Sequence, residues 1–403
     1  MYPRKLLATI GLLALAGCAG GPSVTGEPVS GHGAIEGAAE VAEPQLHLVA
    51  IDAKGQSSML DLLDGTETGL DAITPPETVT TDGRYVFAAD DAGVSIIDSG
   101  VWTWDHVDHF HYYRSQPRAL PRLDGDGVAT ISTGMLSTAG STGVFFPTSG
   151  EAVLLDNKAL SQGELTETLR LTVDPHAGLI APLGEGALVS RTGEGEKAIQ
   201  VDAVDDAGTT LASHACEAAS GSITTRVGLV VGCADGAVIA TLDGDTPVLE
   251  HVPYPADAAA PATTFQARKG RPTVAGIGDG SGVWLLDTRE SSWQWLKTST
   301  PVVTATAVDD AGEHVVAVGE DGTIQVYDAG SGDSIGATKP LLASTLADPA
   351  VSGSVGVMVD GQRAYVNASA EGVVYEIDYA DAARVARTLE LATQPVHLME
   401  TGR

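Results

Sequence analysis

One hairpin pattern recurs along most of the 403-residue chain, and this repetition constrains the fold more than any other feature. Each copy is an apolar strand, a turn containing Gly, Asp or Glu, and a second apolar strand that ends in Asp. Short strands bounded by such turns predict an all-β chain built from repeats. The clearest copies cover residues 85–98, 274–287, 315–328 and 364–378, and weaker copies end near Asp61, Asp156, Asp205 and Asp243.

The spacing of the copies predicts a closed ring of small sheets. Their final Asp residues lie 37 to 58 positions apart, about 45 on average. A four-stranded propeller blade takes roughly 40 to 50 residues, and radial closure leaves few strand edges open. We therefore expect an all-β β-propeller over residues 45–403, with eight blades, or seven as the nearest alternative. The main stretch with some helical period is 379–391, which could equally be a strand.

The N-terminal residues have the features of an export signal. Arg4 and Lys5 precede an apolar run over residues 6–16, which is too short to span a bilayer as a mature helix. The run ends in Leu15-Ala16-Gly17-Cys18, which resembles a bacterial lipobox. Residues 1–18 are thus predicted to be a lipoprotein signal peptide, with Cys18 as the lipid-modified residue. A signal for soluble secretion, cleaved close by, is the alternative.

Composition limits the partners of the exported chain. Residues 19–44 are rich in Gly, Pro, Ser and Glu without apolar periodicity, which predicts a flexible tether. The chain has 22 Lys and Arg against 53 Asp and Glu, a formal charge of −31. Phosphate backbones and anionic lipid surfaces repel such a chain. We expect an extracytoplasmic monomer that binds no nucleic acid and meets the bacterial cell membrane only through its lipid anchor.

Two cysteines remain beyond the lipobox. Cys216 and Cys233 lie 17 positions apart. Exported proteins usually pair such cysteines because their compartment is oxidising, so we expect a disulfide. A metal site that uses both thiolates is the competing interpretation.

A histidine-rich segment at about residues 101–118 is expected as an insertion between the second and third repeats, where the spacing is longest. Three of the ten histidines fall within six residues there, interleaved with two aspartates. Neutral imidazole and carboxylate are zinc ligands, so the cluster predicts a metal site; surface residues without metal are the alternative. In one extended segment, positions 105, 109 and 111 would share a face. The candidate ligands are Asp105, His106, Asp108, His109 and His111.

Further histidines and aromatic residues complete this picture. His176, in a turn before a strand, is the best additional ligand, and His214 is second. His32 lies on the tether, where it could capture an ion loosely. Five aromatic residues could form an apolar collar around the ligands or could be ordinary core: Trp102, Trp104, Phe110, Tyr112 and Tyr113. The histidines predicted to be structural are His47, His251, His314 and His397.

Enzyme signatures are missing from the sequence. It contains no G-x-S-x-G elbow, H-E-x-x-H motif, P-loop or EF-hand loop. We therefore expect a protein that is not an enzyme, although hydrolysis by a zinc-bound water is formally compatible with an open metal site. A lipid-anchored propeller that organises other envelope proteins is the alternative function.

Three stretches resemble the AztD family of extracytoplasmic zinc metallochaperones. They are the Asp-His-x-Asp-His-x-His-Tyr-Tyr string at 105–113, the turn at 175–183, and the cysteine pair followed by Ala-Asp-Gly. The stretch from His32 to Gln45, with Glu36, Glu40 and Glu43, is also similar to family members carried as lipoproteins. One departure is that residues 219–222 read Ala-Ser-Gly-Ser, with Ser220 where the family pattern has His.

The resemblance implies a β-propeller that binds zinc and hands it to the solute-binding protein of a zinc ABC importer. It makes His109, His111 and His176 the leading ligands, supported by Asp105, His106 and Asp108. Because Ser220 stands where the family pattern has His, one ligand of that pattern is missing here, and His214 could substitute for it.

Overall fold

The computed structural model describes residues 37–105, 109–193, 195, 197–256 and 260–403. Its helices are α1 (Asn157–Gln162), α2 (Ala343–Ala347) and a 3-10 turn at Ser352–Ser354. No helix in this described part has the length and apolar character needed to cross a membrane. All other regular structure is β, so the expectation of an all-β chain is confirmed.

The strands are short and follow one another closely. Residues 37–124 contain β1 (Ala39–Val41), β2 (His47–Ile51), β3 (Ser57–Asp61), β4 (Glu67–Gly69), β5 (Thr78–Thr81), β6 (Tyr85–Asp90), β7 (Gly93–Asp98), β8 (Val101–Asp105), β9 (Phe110–Arg114) and β10 (Arg118–Asp124). Residues 125–253 contain β11 (Thr130–Thr133), β12 (Ser141–Phe146), β13 (Glu151–Asp156), β14 (Glu167–Thr172), β15 (Ile180–Leu183), β16 (Gly186–Thr192), β17 (Ala198–Val204), β18 (Thr210–Ala215), β19 (Ser220–Thr224), β20 (Leu229–Cys233), β21 (Gly236–Asp243) and β22 (Thr246–Pro253). The remainder contains β23 (Thr264–Gln266), β24 (Thr273–Ile277), β25 (Val283–Asp287), β26 (Ser292–Leu296), β27 (Val302–Ala307), β28 (His314–Gly319), β29 (Ile324–Asp328), β30 (Ser334–Ala337), β31 (Val357–Val359), β32 (Ala364–Ala368), β33 (Val373–Asp378), β34 (Arg384–Glu390) and β35 (His397–Thr401).

These strands form eight antiparallel four-stranded sheets and one three-stranded sheet within the described residues. Sheet 1 has the order β35-β2-β3-β4, and sheet 2 has the order β10-β7-β6-β5. Sheets 3 to 8 each take four consecutive strands, from β11–β14 through β31–β34. The remaining strands form a separate sheet, β1-β9-β8, which we call the histidine sheet.

Sheet 1 joins strands from opposite ends of the chain. β35 pairs antiparallel with β2, with Val49 opposite Met399 and Ala50 opposite Leu398. The last strand of the described chain thus supplies the missing member of the first sheet, an arrangement that brings sheet 8 beside sheet 1.

Buried apolar clusters lie between successive sheets. Val49 and Ile51 of sheet 1 pack with Val86 and Ile97 of sheet 2, and equivalent clusters connect each later pair. The cycle ends where Leu48 packs with residues of sheet 8. Because both faces of the central strands are covered, these strands are continuous apolar runs, and each fully buried Val or Leu contributes about 1.5 to 3 kcal/mol.

Aspartate marks the end of the third strand in most sheets. Seven of the eight Asp positions predicted to end a hairpin are the last residue of such a strand, and Asp205 directly follows β17. In six of these eight positions the carboxylate accepts a hydrogen bond from a backbone N–H two or three residues later, as Asp98 does from Gly100 at 3.0 Å. This local turn explains why Asp recurs where each strand stops.

Two further expectations are resolved by the structure. The ambiguous stretch 379–391 contains strand β34 rather than a helix. Cys216 and Cys233 form a disulfide that lies buried between sheets 4 and 5. The alternative of a thiolate metal site is therefore wrong, because the two sulfur atoms are bonded to each other.

Glu400, on β35, is a fully buried acid beside the closure of sheet 1. Its side chain is 0% exposed, and neither carboxylate oxygen accepts a hydrogen bond from the described residues. Burial raises its pKa to about 7, although the guanidinium of Arg403 at 3.5 Å opposes the shift; the charge of Asp360 adds to it. The folded state therefore favours the neutral carboxyl.

This buried acid predicts a pH-dependent stability. Between about pH 4.5 and 7 the folded chain retains a proton that the unfolded chain has lost, so Glu400 lowers the free energy of unfolding as pH rises. Glu400→Gln should remove this effect. From pH 5 to pH 8 the free energy of unfolding of the variant should therefore rise by up to about 3 kcal/mol relative to that of wild type. Urea unfolding at pH 5 and pH 8 measures the free energy of unfolding of both proteins, and Glu390→Gln, at an exposed position, is the control. An equal difference at the two pH values would contradict the prediction.

Candidate metal centre

The histidine sheet contains two of the predicted ligands, Asp105 and His111, and His109 directly precedes β9. β8 and β9 form a hairpin that lies between β7 and β10 in the chain, so it interrupts sheet 2 rather than separating the second and third repeats. The sequence predicted the insertion after the second repeat because a repeat was taken to end at the Asp of its third strand. The fourth strand of sheet 2, β10, comes only after the hairpin. β1 completes the sheet by pairing with β9, with Glu40 opposite Tyr113.

The pairing of β1 corrects the extent of the predicted tether. Residues 39–41 lie inside the stretch 19–44, yet they form a strand with backbone partners in β9. Residues 19–36 and the predicted signal peptide with Cys18 lie outside the described residues, as does His32.

Register decides which side chains share a face of this sheet. Trp104 is opposite His111, and Trp102 is opposite Tyr113. Directly opposite residues point to the same side, and alternate residues on one strand do too. Glu40, Trp102, Trp104, His111 and Tyr113 therefore occupy one face.

His109, His111 and Glu40 form a hydrogen-bonded chain on that face. His109 Nε2 lies 2.9 Å from His111 Nε2, and His111 Nδ1 lies 2.6 Å from Glu40 Oε1. The carboxylate accepts the Nδ1 proton, which leaves the Nε2 lone pair of His111 directed towards His109. Two nitrogens that bind one tetrahedral zinc at about 2.0 to 2.1 Å are separated by about 3.3 Å, close to the spacing found here.

The two imidazoles differ in their access to solvent. His111 is 6% exposed, whereas His109 lies on the exposed end of the hairpin. The two rings meet edge to face, with centroids 4.6 Å apart. A buried, oriented nitrogen beside an accessible one can hold a cation while leaving one side open to an incoming ligand.

Aromatic side chains surround the buried histidine. The ring centroids of Trp104 and Tyr113 lie 5.8 and 6.1 Å from that of His111. Burial raises the pKa of Tyr113, and the nearby charge of Glu40 adds to this, so the phenol stays neutral. Phe110 instead lies on the opposite face and is 54% exposed. The five aromatic residues of the segment are therefore split between the two faces.

The expected placement of Asp105 is wrong. One continuous extended segment would put it on the face of His109 and His111, but the chain reverses and Asp105 pairs with Phe110. Its side chain therefore leaves from the face opposite His111. His106 and Asp108 lie outside the described residues. Within the described ranges, no group of three or more His, Cys, Asp or Glu residues is arranged to hold a metal ion.

The structure does not bring His176 to the histidine pair. This side chain is 3% exposed, and its Nδ1 lies 2.7 Å from the carbonyl of Asp174. Its Nε2 lies 2.8 Å from Ser190 Oγ, and its ring packs edge-on against Phe145 of sheet 3. Both ring nitrogens thus have partners in the core, and the sequence could not show that the turn directs the ring inwards.

His214 also makes its contacts with residues other than His109 and His111. Its ring stacks on His251, with centroids 5.5 Å apart, and its Nδ1 lies 2.7 Å from the Ala215 carbonyl. It therefore does not join His109 and His111. The other three described histidines have ordinary packing or hydrogen-bonding roles: His47, His314 and His397.

Glu40 is a candidate site residue that the sequence analysis did not include: it contacts the Nδ1 of His111 at 2.6 Å. It is part of the His32 to Gln45 stretch that resembles lipoprotein members of the family, but nothing local indicates that it reaches a residue 71 positions away. Only the pairing of β1 with β9 brings the two together.

Comparison with known proteins supports a relationship. No family model matches the chain. The zinc chaperone AztD of Citrobacter koseri is 25% identical over 206 residues, which are 49% of this chain and 48% of that protein. This chain thus matches only about half the length of that curated relative.

Solved structures show the same fold over a longer stretch. The crystal structure of Citrobacter koseri AztD and a structure of its apo form each superpose with a TM-score of 0.77 and 21% identity, covering 89% of this chain and 98% of theirs. The computationally designed Ika8 protein reaches 0.52 at 16% identity, over 84% of this chain and 95% of its own. In sequence and in fold, the chain therefore resembles the AztD-type family.

Proposed function

We propose that this protein is a zinc metallochaperone that binds Zn²⁺ outside the cytoplasmic membrane and delivers it to the solute-binding protein of a zinc ABC transporter. The observation that carries the proposal is the convergence of His109 Nε2 and His111 Nε2, with His111 oriented by Glu40. The name of the Citrobacter koseri relative, a zinc chaperone, supports the same role. The protein acts as a carrier and not as an enzyme.

The proposed ligand set begins with His109 and His111. Two imidazoles leave at least one further position in a tetrahedral zinc shell. We assign it to His106 or Asp108, which lie between β8 and His109 in the sequence. Asp105 is less suitable because its side chain leaves from the other face, and His176 because both of its ring nitrogens are already engaged. Glu40 acts as the orienting acceptor.

Delivery requires that the ion can leave. Ligand exchange proceeds when an incoming side chain can reach the metal before the old ligands release it. The exposed His109 provides that access, while buried His111 retains the ion until the acceptor engages. The charge of −31 favours cations near the protein and an acceptor surface that is not strongly acidic.

The setting of this activity is part of the proposal. The eight four-stranded sheets are the eight blades of one propeller, supported by the cycle of clusters that returns from sheet 8 to sheet 1. A lipid on Cys18 tethers the propeller to the membrane, and it works as a monomer. A scaffold for other envelope proteins, the alternative, has no need of the paired imidazoles.

Zinc binding is tested first by removing both imidazoles. The wild-type domain, purified without a histidine tag, should hold about one zinc ion, because two imidazoles and a third ligand make a sufficient shell. His109→Ala/His111→Ala should lose it, while His214→Ala/His251→Ala, which removes another neighbouring pair, should not. Atomic absorption and competition with a zinc-sensitive dye measure both. Equal zinc content in all three proteins would show that His109 and His111 are not the zinc ligands.

The orienting role of Glu40 predicts a second effect. Glu40→Gln keeps the shape but replaces the carboxylate that accepts from His111 Nδ1, so zinc affinity should fall about 10- to 100-fold. Glu43→Gln removes an exposed carboxylate three residues away and should leave the affinity within about twofold of wild type. Dye competition compares the three proteins. Equal losses in both variants would point to general charge instead of orientation.

Delivery is tested by direct transfer. Zinc-loaded protein is mixed with the zinc-free solute-binding protein of a zinc importer, in the presence of a chelator strong enough to capture any ion that escapes into solution. The acceptor should gain zinc after separation of the two proteins. Free zinc added with the same chelator should not load it, because the chelator intercepts that route. Zinc that always reaches the chelator and never the acceptor would reject delivery while leaving zinc binding intact.

A further inference from the structure

A column of stacked side chains connects the core of sheet 2 to the histidine pair. It begins at Arg84, which is 3% exposed and donates from Nε and from its second terminal nitrogen to the two carboxylate oxygens of Asp98, both at 2.9 Å. Asp98 is itself 1% exposed. This bidentate pair holds the guanidinium plane in one orientation.

Trp102 lies directly on that plane. The central carbon of the Arg84 guanidinium is 3.8 Å from the centroid of the Trp102 ring, which is 3% exposed. A flat, weakly hydrated guanidinium stacks on an indole face better than an ammonium does. Trp102 Nε1 has no hydrogen-bond partner among the described residues. A buried tryptophan normally pairs its N–H. Since Trp102 lacks that hydrogen bond within the described part of the chain, stacking sets the position of its ring.

The stack continues to the metal site through Tyr113. Trp102 and Tyr113 are stacked with centroids 5.0 Å apart and an interplanar angle of 18°. Tyr113 and His111 follow at 6.1 Å and 24°. Four planar groups in succession therefore lead from a fixed ion pair to the imidazole.

Two independent constraints meet at His111. Glu40 determines which nitrogen carries the proton, and the column, together with Trp104 at 5.8 Å, holds the plane in which the ring lies. Only the plane decides whether Nε2 points at His109 Nε2 or past it. A ligand that is already oriented loses less freedom when the ion arrives, which raises affinity.

We propose that Arg84, Trp102 and Tyr113 are positioning residues that fix the plane of the His111 ring and thereby set the zinc affinity of the site. The proposal rests on the proposed zinc-binding function. It makes residues that never touch the ion a determinant of how tightly the ion is held.

The test compares three variants of the whole exported domain. Trp102→Leu breaks the stack, whereas Trp102→Phe keeps a smaller aromatic face and loses the second ring of the indole together with an N–H that has no partner among the described residues. Tyr112→Leu removes an aromatic ring from β9, the strand of His111 and Tyr113, on the opposite face of the histidine sheet. Zinc affinity should fall about 10- to 100-fold in Trp102→Leu and stay within about threefold of wild type in the other two. Dye competition measures affinity, and urea unfolding shows that each protein is folded.

A second substitution covers the case in which Trp102→Leu does not fold. Arg84→Lys keeps the charge beside Asp98 but cannot present a flat group to Trp102, so affinity should again fall. In the zinc-free proteins, each of the two carbon-bound ring protons of His111 should give one sharp NMR signal in wild type and a broadened signal in either variant.

The outcomes separate the two proposals. If wild type binds zinc and folded Trp102→Leu binds it equally tightly, the positioning role of the column is rejected. The proposed zinc site is not affected by that result. A loss of stability without a loss of affinity also rejects the positioning role, because it shows a merely structural role. Wild type that binds no zinc overturns both proposals. Weaker binding in Trp102→Leu that Trp102→Phe restores supports the column.

Discussion

The antiparallel pairing of β35 with β2 is the interaction on which the rest of the structure depends. It joins residues 397–401 to residues 47–51 through a five-residue ladder. The entropic cost of closing a loop rises only slowly with its length, so a short ladder supported by buried side chains can close even this long one. Leu398 enters the cluster between sheets 8 and 1, and the cycle of sheets closes there.

The same closure supports the histidine sheet. Gly402, just after β35, donates its N–H to the carbonyl of Gly83 at 2.7 Å, and its own carbonyl accepts from Thr103 Oγ1 at 2.8 Å. Arg114, at the end of β9, forms an ion pair with Asp61 of sheet 1 at 3.0 Å. β8 and β9 are therefore fixed to sheets 1 and 2 at their base. Their far end, next to His109, is exposed, which agrees with the proposed binding and release of an ion.

Much of the fold could be predicted because its signals are local. Central strands such as β6 and β7 are buried along their whole length, so they are visible as apolar runs between turns. Outer strands such as β4 and β14 are short or largely exposed, and no comparable signal marks them. For the same reason the histidine insertion was assigned between two sheets: nothing in the sequence marks β10 as the outer strand of sheet 2.

The candidate site was predictable only in part. His109 and His111 are two positions apart, so strand geometry alone brings their side chains to one face. Asp105 was misplaced because the reversal of the chain between the two strands changes which residues share that face. His176 has the right chemistry, but its ring nitrogens face Ser190 and a backbone carbonyl in the core.

By itself the sequence determined the class of structure and the types of side chain offered by the candidate site, because strand alternation, turn residues and the side chains at 105–111 are properties of short segments. The tertiary structure decided which of those side chains meet. Glu40 reaches His111 only because β1 pairs with β9, and Arg84 reaches it only through Trp102 and Tyr113. Such contacts depend on the register and closure of strands far apart in the chain, and no local pattern of residues encodes those distances.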